Sequence, residues 1–567
     1  MQNRAEWRVK NNNLEKSVVD RILENRGFTD PSDIDAFLHP DFKNHLHSPY
    51  LLRDMDIAVE RIIEALSKNE RIVIYGDYDA DGVTATALVY DLFHQIGANF
   101  TFILPHRLND GYGVTPTGVQ KAKELGADVI LTVDNGITAF EAALEAEKLG
   151  IALIITDHHQ QGEGIPKAVA VINPNRKDCD YPFKHISGVG VAYKLVTALA
   201  ERILSQEEAE YFLKWSLDLV AMGTVADLMC LLGENRALVH YGLKVIQKAK
   251  RPGIRALLNL YGQNNQRVNT ITIGYQLGPK INAAGRLEKA DIALKLLIAK
   301  DFSQAEELAK NLDEVNHQRQ ILTQEALEEA ENLIDLSSKV MIVTSRKWHP
   351  GIIGLVAGKL CEKYHRPVIA FAYVDAENAF KGSARSPEYF DITSAMMSFN
   401  DDLVNVGGHR QAGGCTVTEE KFEYFVSNFK KYAEDKLKEV IVSNIYEADT
   451  SLTSDQITLE MWNEINQLAP FGNENLRPLF YVENMEITQI RSVGFNKRHL
   501  QLKLKKNLQY IMAIGFGLGD LSDRFARGDK IDLMTEMGEN IWNNHTYIQL
   551  VVKDIRHANG ANIEKSS

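Results

Sequence analysis

The sequence predicts an α/β protein of several domains: a lobe built on a parallel sheet, a long helical connector, a second α/β lobe and a small C-terminal β-barrel. Three observations carry that expectation. Between residues 72 and 172, five short runs rich in Ile, Val and Leu alternate with helical stretches, the pattern of parallel strands covered on both faces. From Phe302 to Leu336 a charged stretch contains neither Gly nor Pro and reads as one extended helix. Between residues 479 and 552, five further short runs come at intervals with turn residues between them, which marks a small all-β domain.

At 567 residues the chain has material for about three domains. Its 45% hydrophobic and 25% charged content is that of an ordinary globular protein. The start, MQNRAEWRVKNNN, is polar and carries no secretory signal pattern. No apolar run approaches the roughly 20 residues of a membrane span. Cys179, Cys230, Cys361 and Cys415 are far apart and form no CxxC pair. They argue against a zinc site or disulfide framework and fit a reducing, cytoplasmic setting. The net charge of −13 excludes a bulk electrostatic attraction to nucleic acid. Any such binding must use local basic patches, or metal ions that offset the acid.

In order, residues 1–45 read as a helical lead-in without an assignable motif. Ile72–Tyr75 is the first strand of the sheet; it stops at Gly76 and opens onto Asp77, Asp79 and Asp81, then Gly82 and a helix over Val83–Ile96. Three carboxylates at alternate positions raise each other's pKa or demand a cation, and a hard divalent ion is the simplest compensation. Taken alone, the turn is equally a solvated acidic loop with helix-capping aspartates. The remaining strands are expected at Phe100–Leu104, Val129–Val133, Ile151–Ile155 and Val169–Ile172. Asp134, with Asn135 and Gly136, closes the third strand, and Thr156-Asp157-His158-His159 closes the fourth. In an open α/β sheet the C-terminal strand ends face one crevice, so these clusters are expected to meet there. Asp227 ends an apolar stretch from Ala221, where a simple cap is the ordinary reading.

On the connector, Asn316 and Arg319 lie on neighbouring turns. From Val340 a second α/β pattern begins, with MIVTS as a strand, a helix start over Gly351–Leu360 and a strand over Pro367–Tyr373. GGHRQAGG reads as a glycine-rich turn that lets backbone approach a phosphate, with His409 beside Gly408. The final runs, Leu479–Val482, Leu500–Leu504, Tyr510–Ile514, Ile531–Thr535 and Tyr547–Val552, suggest a barrel of the OB type. Lys497, Arg498, Lys503, Lys505 and Lys506 make it locally basic, and Phe471, Phe480 and Tyr510 are candidate stacking faces, although aromatics in a small barrel are more often core.

GDYDADG, VDNG, TDHH and GTVAD, in this order and at these separations, resemble the DHH phosphoesterase superfamily. PHRLNDGYG (105–113), KINAAGRL (280–287), WHPGIIGLVAGKL (348–360), GSAR (382–385) and GGHRQAGG (407–414) narrow the resemblance to the RecJ family of single-strand-specific exonucleases, over roughly residues 46–556. The resemblance implies a DHH catalytic domain at 46–230, a helical connector at 231–338 and a DHH-associated substrate-binding domain at 339–445. An OB-type nucleic-acid-binding barrel at 446–556 and a tail at 557–567 complete the chain. It implies a metal-dependent 5′→3′ exonuclease that degrades single-stranded DNA in recombination and repair with two divalent ions, Mn²⁺ or Mg²⁺.

By the same resemblance Asp79, Asp81, Asp134, His158 and Asp227 are the metal ligands, with Asp134 as the bridge. Asp77 and His159 complete the catalytic set, His159 either behind the ligands or as a donor to the scissile phosphate. Arg107, Asn109, Tyr112, Asn282, Arg286, Ser383, Arg385, Gly408 and His409 are expected to bind substrate. Of these, Arg107, Arg286, Ser383 and Arg385 match the pocket for a 5′-terminal phosphate, and Tyr112 stacks on a base or blocks duplex entry. The implied partners are single-stranded DNA with a 5′ end, a helicase and a single-strand-binding protein, with no membrane and a monomeric state. Two other readings stand beside it. Another DHH phosphodiesterase, acting on oligoribonucleotides or cyclic dinucleotides, shares the catalytic lobe but needs neither connector nor barrel. A catalytically silent replication scaffold expects broken ligand motifs, whereas all four are intact here.

Overall fold

The parallel sheet forms where the alternation predicts it. In the computed structural model its strands are β1 (Ile72–Tyr75), β2 (Phe100–Ile103), β3 (Val129–Val133), β4 (Ala152–Thr156) and β5 (Ala170–Ile172). They pair in the order β2-β1-β3-β4-β5, all parallel. β1 and β3 are buried at every position, which is why their sequences run Ile-Val-Ile-Tyr and Val-Ile-Leu-Thr-Val instead of alternating with polar residues. Each fully buried Ile or Val side chain contributes about 1.5–3 kcal/mol. The direction of strand succession reverses between β1 and β3, and that switch point is where an α/β sheet opens a crevice for a ligand. The structure describes residues 6–11, 13, 15–106, 113–262, 267–440, 445–542, 545–558 and 564–565.

Three helices carry or meet the acidic residues of this crevice. α1 (Ala80–Gln95) starts directly after the acidic turn, with Asp79 as its N-cap. α2 (Gly188–Ile203) is capped by Ser187, and α3 (Leu217–Ala226) ends at Asp227. Gly223 lets α3 close on α1, because a Cβ there would fall on Thr84 Oγ1 and Asp81 Oδ1. α4 (Gly278–Leu287) follows a π-helical turn over Thr272–Leu277. The long charged stretch of the connector is one helix, α5 (Phe302–Leu333), which the absence of Gly and Pro allows.

The second sheet contains β6 (Met341–Ser345), β7 (Val368–Val374), β8 (Ala379–Arg385), β9 (Asn405–His409) and β10 (Ala412–Thr418), with α6 (Ile353–Tyr364) between β6 and β7. Its order is β9-β10-β8-β7-β6; only β6 and β7 are parallel. GGHRQAGG is therefore a turn only at its centre. Its glycines lie in paired strands of a hairpin, Gly407 opposite Gly414 and Gly408 opposite Gly413, and Arg410 and Gln411 make the turn.

Leu46–Met229 and Leu238–Val442 form one compact unit; Met1–His45, Cys230–Ala237 and Ser443–Ser567 form the other. The second unit holds a closed barrel of β11 (Phe480–Val493), β12 (His499–Lys506), β13 (Gln509–Gly515), β14 (Lys530–Trp542) and β15 (His545–His557). The circuit runs β11-β12-β13-β15-β14 and back to β11, with β13 and β15 parallel. The strands are longer than their apolar runs because β11 continues through register shifts at Val482/Met485 and Ile487/Gln489, and such bulges bend a strand round a barrel. Residues of the lead-in belong to this unit. Glu6–Val9 pairs in parallel with Ile445–Ala448, and Trp7 Nε1 donates to Asp554 Oδ2 at 2.8 Å. Buried Arg236 holds the Cys230–Ala237 segment in the same unit by donating to the carbonyls of Phe37, Leu468 and Ala469.

Candidate metal centre

The switch point of the sheet gathers the acidic turns. Gly76 leaves β1 without room for a side chain, since a Cβ would fall on Thr86 Oγ1. Asp77 is buried, and its Oδ1 accepts from the Tyr78 N–H at 2.8 Å. Asp79 Oδ1 caps α1 by accepting from the N–H groups of Asp81 (2.9 Å) and Gly82 (3.1 Å). Asp81 lies in the first turn of α1 and accepts from the first N–H groups of α2, Gly188 at 2.7 Å and Val189 at 3.0 Å. Asp134 follows β3 in the left-handed region, φ 65°, which aspartate tolerates better than most residues. Gly188 packs against it so closely that a Cβ would fall on its carboxylate.

His158 joins these groups. Its Nε2 lies 3.2 Å from Asp134 Oδ1, 3.7 Å from Asp227 Oδ2 and 3.9 Å from Asp81 Oδ2. Three overlapping sets have ligand atoms within 4.8 Å of one another: Asp77, Asp79 and Asp134; Asp134, His158 and His159; and Asp81, His158 and Asp227. Asp134 belongs to two of them. All five ligands expected from the sequence, and the two further catalytic residues, thus meet at one place.

The electrostatics are those of a site built for cations. Burial, then the Asp79 charge, raises Asp77 well above the carboxylate range and Asp81 to about 7. Burial raises Asp134 and Asp227 as well, reinforced by neighbouring carboxylates. Burial and then His159 push His158 down to about 4, so its imidazole is neutral, the form that binds a metal. Asp77 Oδ2 and Asp134 Oδ1 are buried and accept no hydrogen bond. An unsatisfied buried carboxylate oxygen is costly unless a cation meets it. Four carboxylates and one imidazole, without thiolate, suit Mn²⁺ or Mg²⁺; the residues present therefore fit such ions.

Sequence reasoning missed the group that holds the histidines. Asp157 Oδ1 accepts from the N–H groups of His158 (2.7 Å) and His159 (3.1 Å) and meets His159 Nδ1 at 2.6 Å, while its Oδ2 accepts from the Ile137 N–H at 2.8 Å. Burial opposes both members of this pair. Even so, the contact holds His159 up at about 9, and His159 holds Asp157 below its ordinary value. Asn173 Nδ2 and Asn175 Nδ2 donate to the carbonyls of His159 and His158. The local signs are Asp157 itself, within TDHH, and the pair of asparagines flanking Pro174, in Asn173-Pro174-Asn175.

The expected substrate residues divide. Arg107, Asn109 and Tyr112 lie outside the described residues. Asn282 Oδ1 accepts from the Ala80 N–H at 2.8 Å, so it steadies the acidic turn, and Gly285 packs on the Tyr78 carbonyl. Arg286 Nη1 donates to the Gly351 carbonyl at 3.2 Å. Arg385 Nη1 donates to Ser383 Oγ (3.3 Å) and to the Ala384 carbonyl (2.7 Å). A Cβ on Gly354, in the first turn of α6, would stand 3.0 Å from Ser383 Oγ and 3.3 Å from Arg385 Nη2. A helix start, a hydroxyl and a guanidinium therefore face one small space, a combination suited to an anion. His409, at the end of β9, is near enough for its charge to lower His158.

Residues 71–224 match the DHH family, N-terminal domain; residues 337–435 match the DHHA1 domain; and residues 448–554 match the RecJ OB domain. The single-stranded-DNA-specific exonuclease RecJ of Salmonella typhimurium is 34% identical over 534 residues, which cover 89% of this chain and 90% of that protein. The chain belongs to the RecJ family. The Bacillus subtilis member of the family is 36% identical, over 95% of this chain and 67% of its own length. Among solved structures, RecJ of Thermus thermophilus in complex with Mn²⁺ superposes with a TM-score of 0.81 at 28% identity, over all of this chain and 81% of that one. A second, exonuclease RecJ bound to manganese, covers 69% of this chain and 97% of its own, with a TM-score of 0.60 at 34% identity. No helix among the described residues is long and apolar enough to cross a membrane.

In the barrel, RecJ family membership fits a surface that the sequence named only in part. Phe480 is fully buried and Phe471 nearly so; both fill the core and are withdrawn as stacking faces. Tyr510 is 55% exposed and lies between Lys503 Nζ (4.9 Å) and Lys505 Nζ (5.7 Å) on the outer face of β12 and β13. That is the face on which OB barrels take up oligonucleotides.

Proposed function

We propose that this protein is a metal-dependent exonuclease that degrades single-stranded DNA from its 5′ end by phosphodiester hydrolysis, in recombination and repair. The observation that carries it is the meeting of Asp77, Asp79, Asp81, Asp134, His158 and Asp227 at the switch point, with Asp134 common to two ligand sets. Asp79, Asp81, Asp134, His158 and Asp227 hold two divalent ions, Mn²⁺ or Mg²⁺. Bound there, such ions polarise the phosphate, activate water at neutral pH and offset the charge that gathers on the leaving oxygen. The α2 N-terminus orients Asp81, and Asp157 orients both histidines. His159, its Nδ1 tied to Asp157, presents Nε2 as a proton donor to a phosphate oxygen. Asp77 lies close enough to accept a proton from the attacking water.

Residues 46–230 act as the catalytic domain, 231–338 as connector, 339–445 as the substrate-binding domain and 446–556 as the single-strand platform. Arg286, Ser383 and Arg385, with Arg107, recognise the 5′-terminal phosphate. The enzyme works as a monomer in the cytoplasm, on strands opened by a helicase and covered by a single-strand-binding protein. Digestion of end-labelled DNA with Mn²⁺, Mg²⁺ or chelator tests the reading. Single strands should be lost from the 5′ end only when metal is present. Duplex digestion, or activity in chelator, would refute it.

The barrel has its own test. Lys503→Ala, Lys505→Ala and Tyr510→Ala combined should weaken binding of a long single strand by roughly tenfold and flatten its salt dependence, while cleavage of very short strands stays intact. Equal loss at both lengths would remove the barrel face from substrate binding.

A further inference from the structure

Leu228 follows Asp227 at the end of α3, and its backbone is left-handed, φ 57°. The turn closes the helix: the Leu228 N–H donates to the Val225 carbonyl and the Met229 N–H to the Thr224 carbonyl. Glycine is the usual residue at such a helix end, because a β-carbon makes the conformation costly. Among the described residues with left-handed backbones, no other is a large aliphatic one. The Leu228 side chain is 73% exposed, so little burial offsets that cost. A single exposed leucine is ordinary. An exposed leucine in a disfavoured conformation beside a metal ligand is the kind of residue retained for function at the expense of stability.

Leu228 directly follows a ligand that solvent reaches. The side chains of Asp81, Asp134 and His158 are 1%, 2% and 8% exposed, whereas those of Asp227 and His159 are 31% and 30% exposed. Solvent reaches the centre past Asp227 and His159, so a nucleoside whose phosphodiester enters beside Asp227 would come near Leu228. The element packed on this end of α3 is also irregular and apolar at its surface. Gly278 abuts Ala226, and the preceding π-helical turn, a feature common at functional sites, carries Tyr275 with 80% exposure.

Resting on the nuclease reading above, we propose that Leu228 is a base-contacting residue that packs against the nucleobase beside the scissile phosphate and so favours intact nucleotides over abasic ones. The test compares kcat/KM on oligothymidylates with a thymine or an abasic residue at the scissile nucleotide, for the parent, Leu228→Gly and Leu228→Met. Leu228→Gly should lose about tenfold on the thymine substrate, the scale of a lost apolar contact, and little on the abasic one, with a melting temperature no lower than the parent's. Leu228→Met should recover the preference. An unchanged thymine-to-abasic ratio in Leu228→Gly, or equal loss on both substrates with a lowered melting temperature, overturns the inference. A parent that cleaves neither substrate defeats the nuclease reading instead.

Discussion

Replacing Asp134 by asparagine is expected to lower the hydrolysis rate by at least about 10³-fold, the upper end of what one electrostatic group supplies, without unfolding the protein. Asp134 belongs to both the Asp77–Asp79 and the His158–His159 sets, so its loss removes a ligand from each. Its Oδ1 is buried without a hydrogen-bond donor, and its pKa is raised by burial and by Asp81, Asp79, Asp227 and Asp77. The native charge is therefore a liability in the absence of metal. In chelator the asparagine variant should melt at or above the parent's temperature. Saturating Mn²⁺, which stabilises the parent by about 2.7 kcal/mol at a hundred times its Kd, should stabilise the variant far less. Activity within tenfold of the parent, or an undiminished Mn²⁺ shift, would exclude Asp134 as a shared ligand.

The second large effect is expected at Asp157. Burial alone would lower the pKa of His159; the hydrogen bond and charge of Asp157, then Asp227 and Asp77, raise it to about 9. Asp157→Asn keeps the shape and removes the charge, so His159 returns toward its ordinary 6.5. If the protonated ring donates to the phosphate, the alkaline limb of the kcat–pH profile moves down by about one to two units, and the rate at pH 8 falls roughly two- to tenfold. Stability follows the same sign. A histidine with a raised folded-state pKa contributes fully below its unfolded value and loses that contribution as pH rises through the folded one. The parent's advantage over the variant in chelator should be full below pH 6.5 and fade through about 9. An alkaline limb that does not move would show that the Asp157–His159 contact is structural only.

Much of this centre was legible because its residues sit where strands end. β1, β3 and β4 are buried on both faces, so their sequences announce them, and the acidic and imidazole residues directly follow. What supports the ligands was not legible. The α2 N-terminus meets Asp81 across more than a hundred residues of chain, through helix packing at Gly188 and Gly223 that leaves only glycines in the sequence. Asp157 stood in view within TDHH, yet its work is to hold backbone and His159, which spacing alone does not distinguish from ligation. Glycine's habit as a turn former makes Gly407–Gly414 read as a turn, whereas its glycines pair across strands. Phe471 and Phe480 were read for stacking, but a barrel this small needs aromatics inside. The Glu6–Val9 strand had no sign at all, since its partner, Ile445–Ala448, lies at the other end of the chain.

These side chains are expected to hold a pair of ions. Anomalous diffraction from a crystal soaked in manganese measures it directly. Two manganese peaks that share the Asp134 carboxylate, one also beside Asp79 and the other beside His158, are the expected result; a single peak clear of Asp134, or no peak at the switch point, would contradict it.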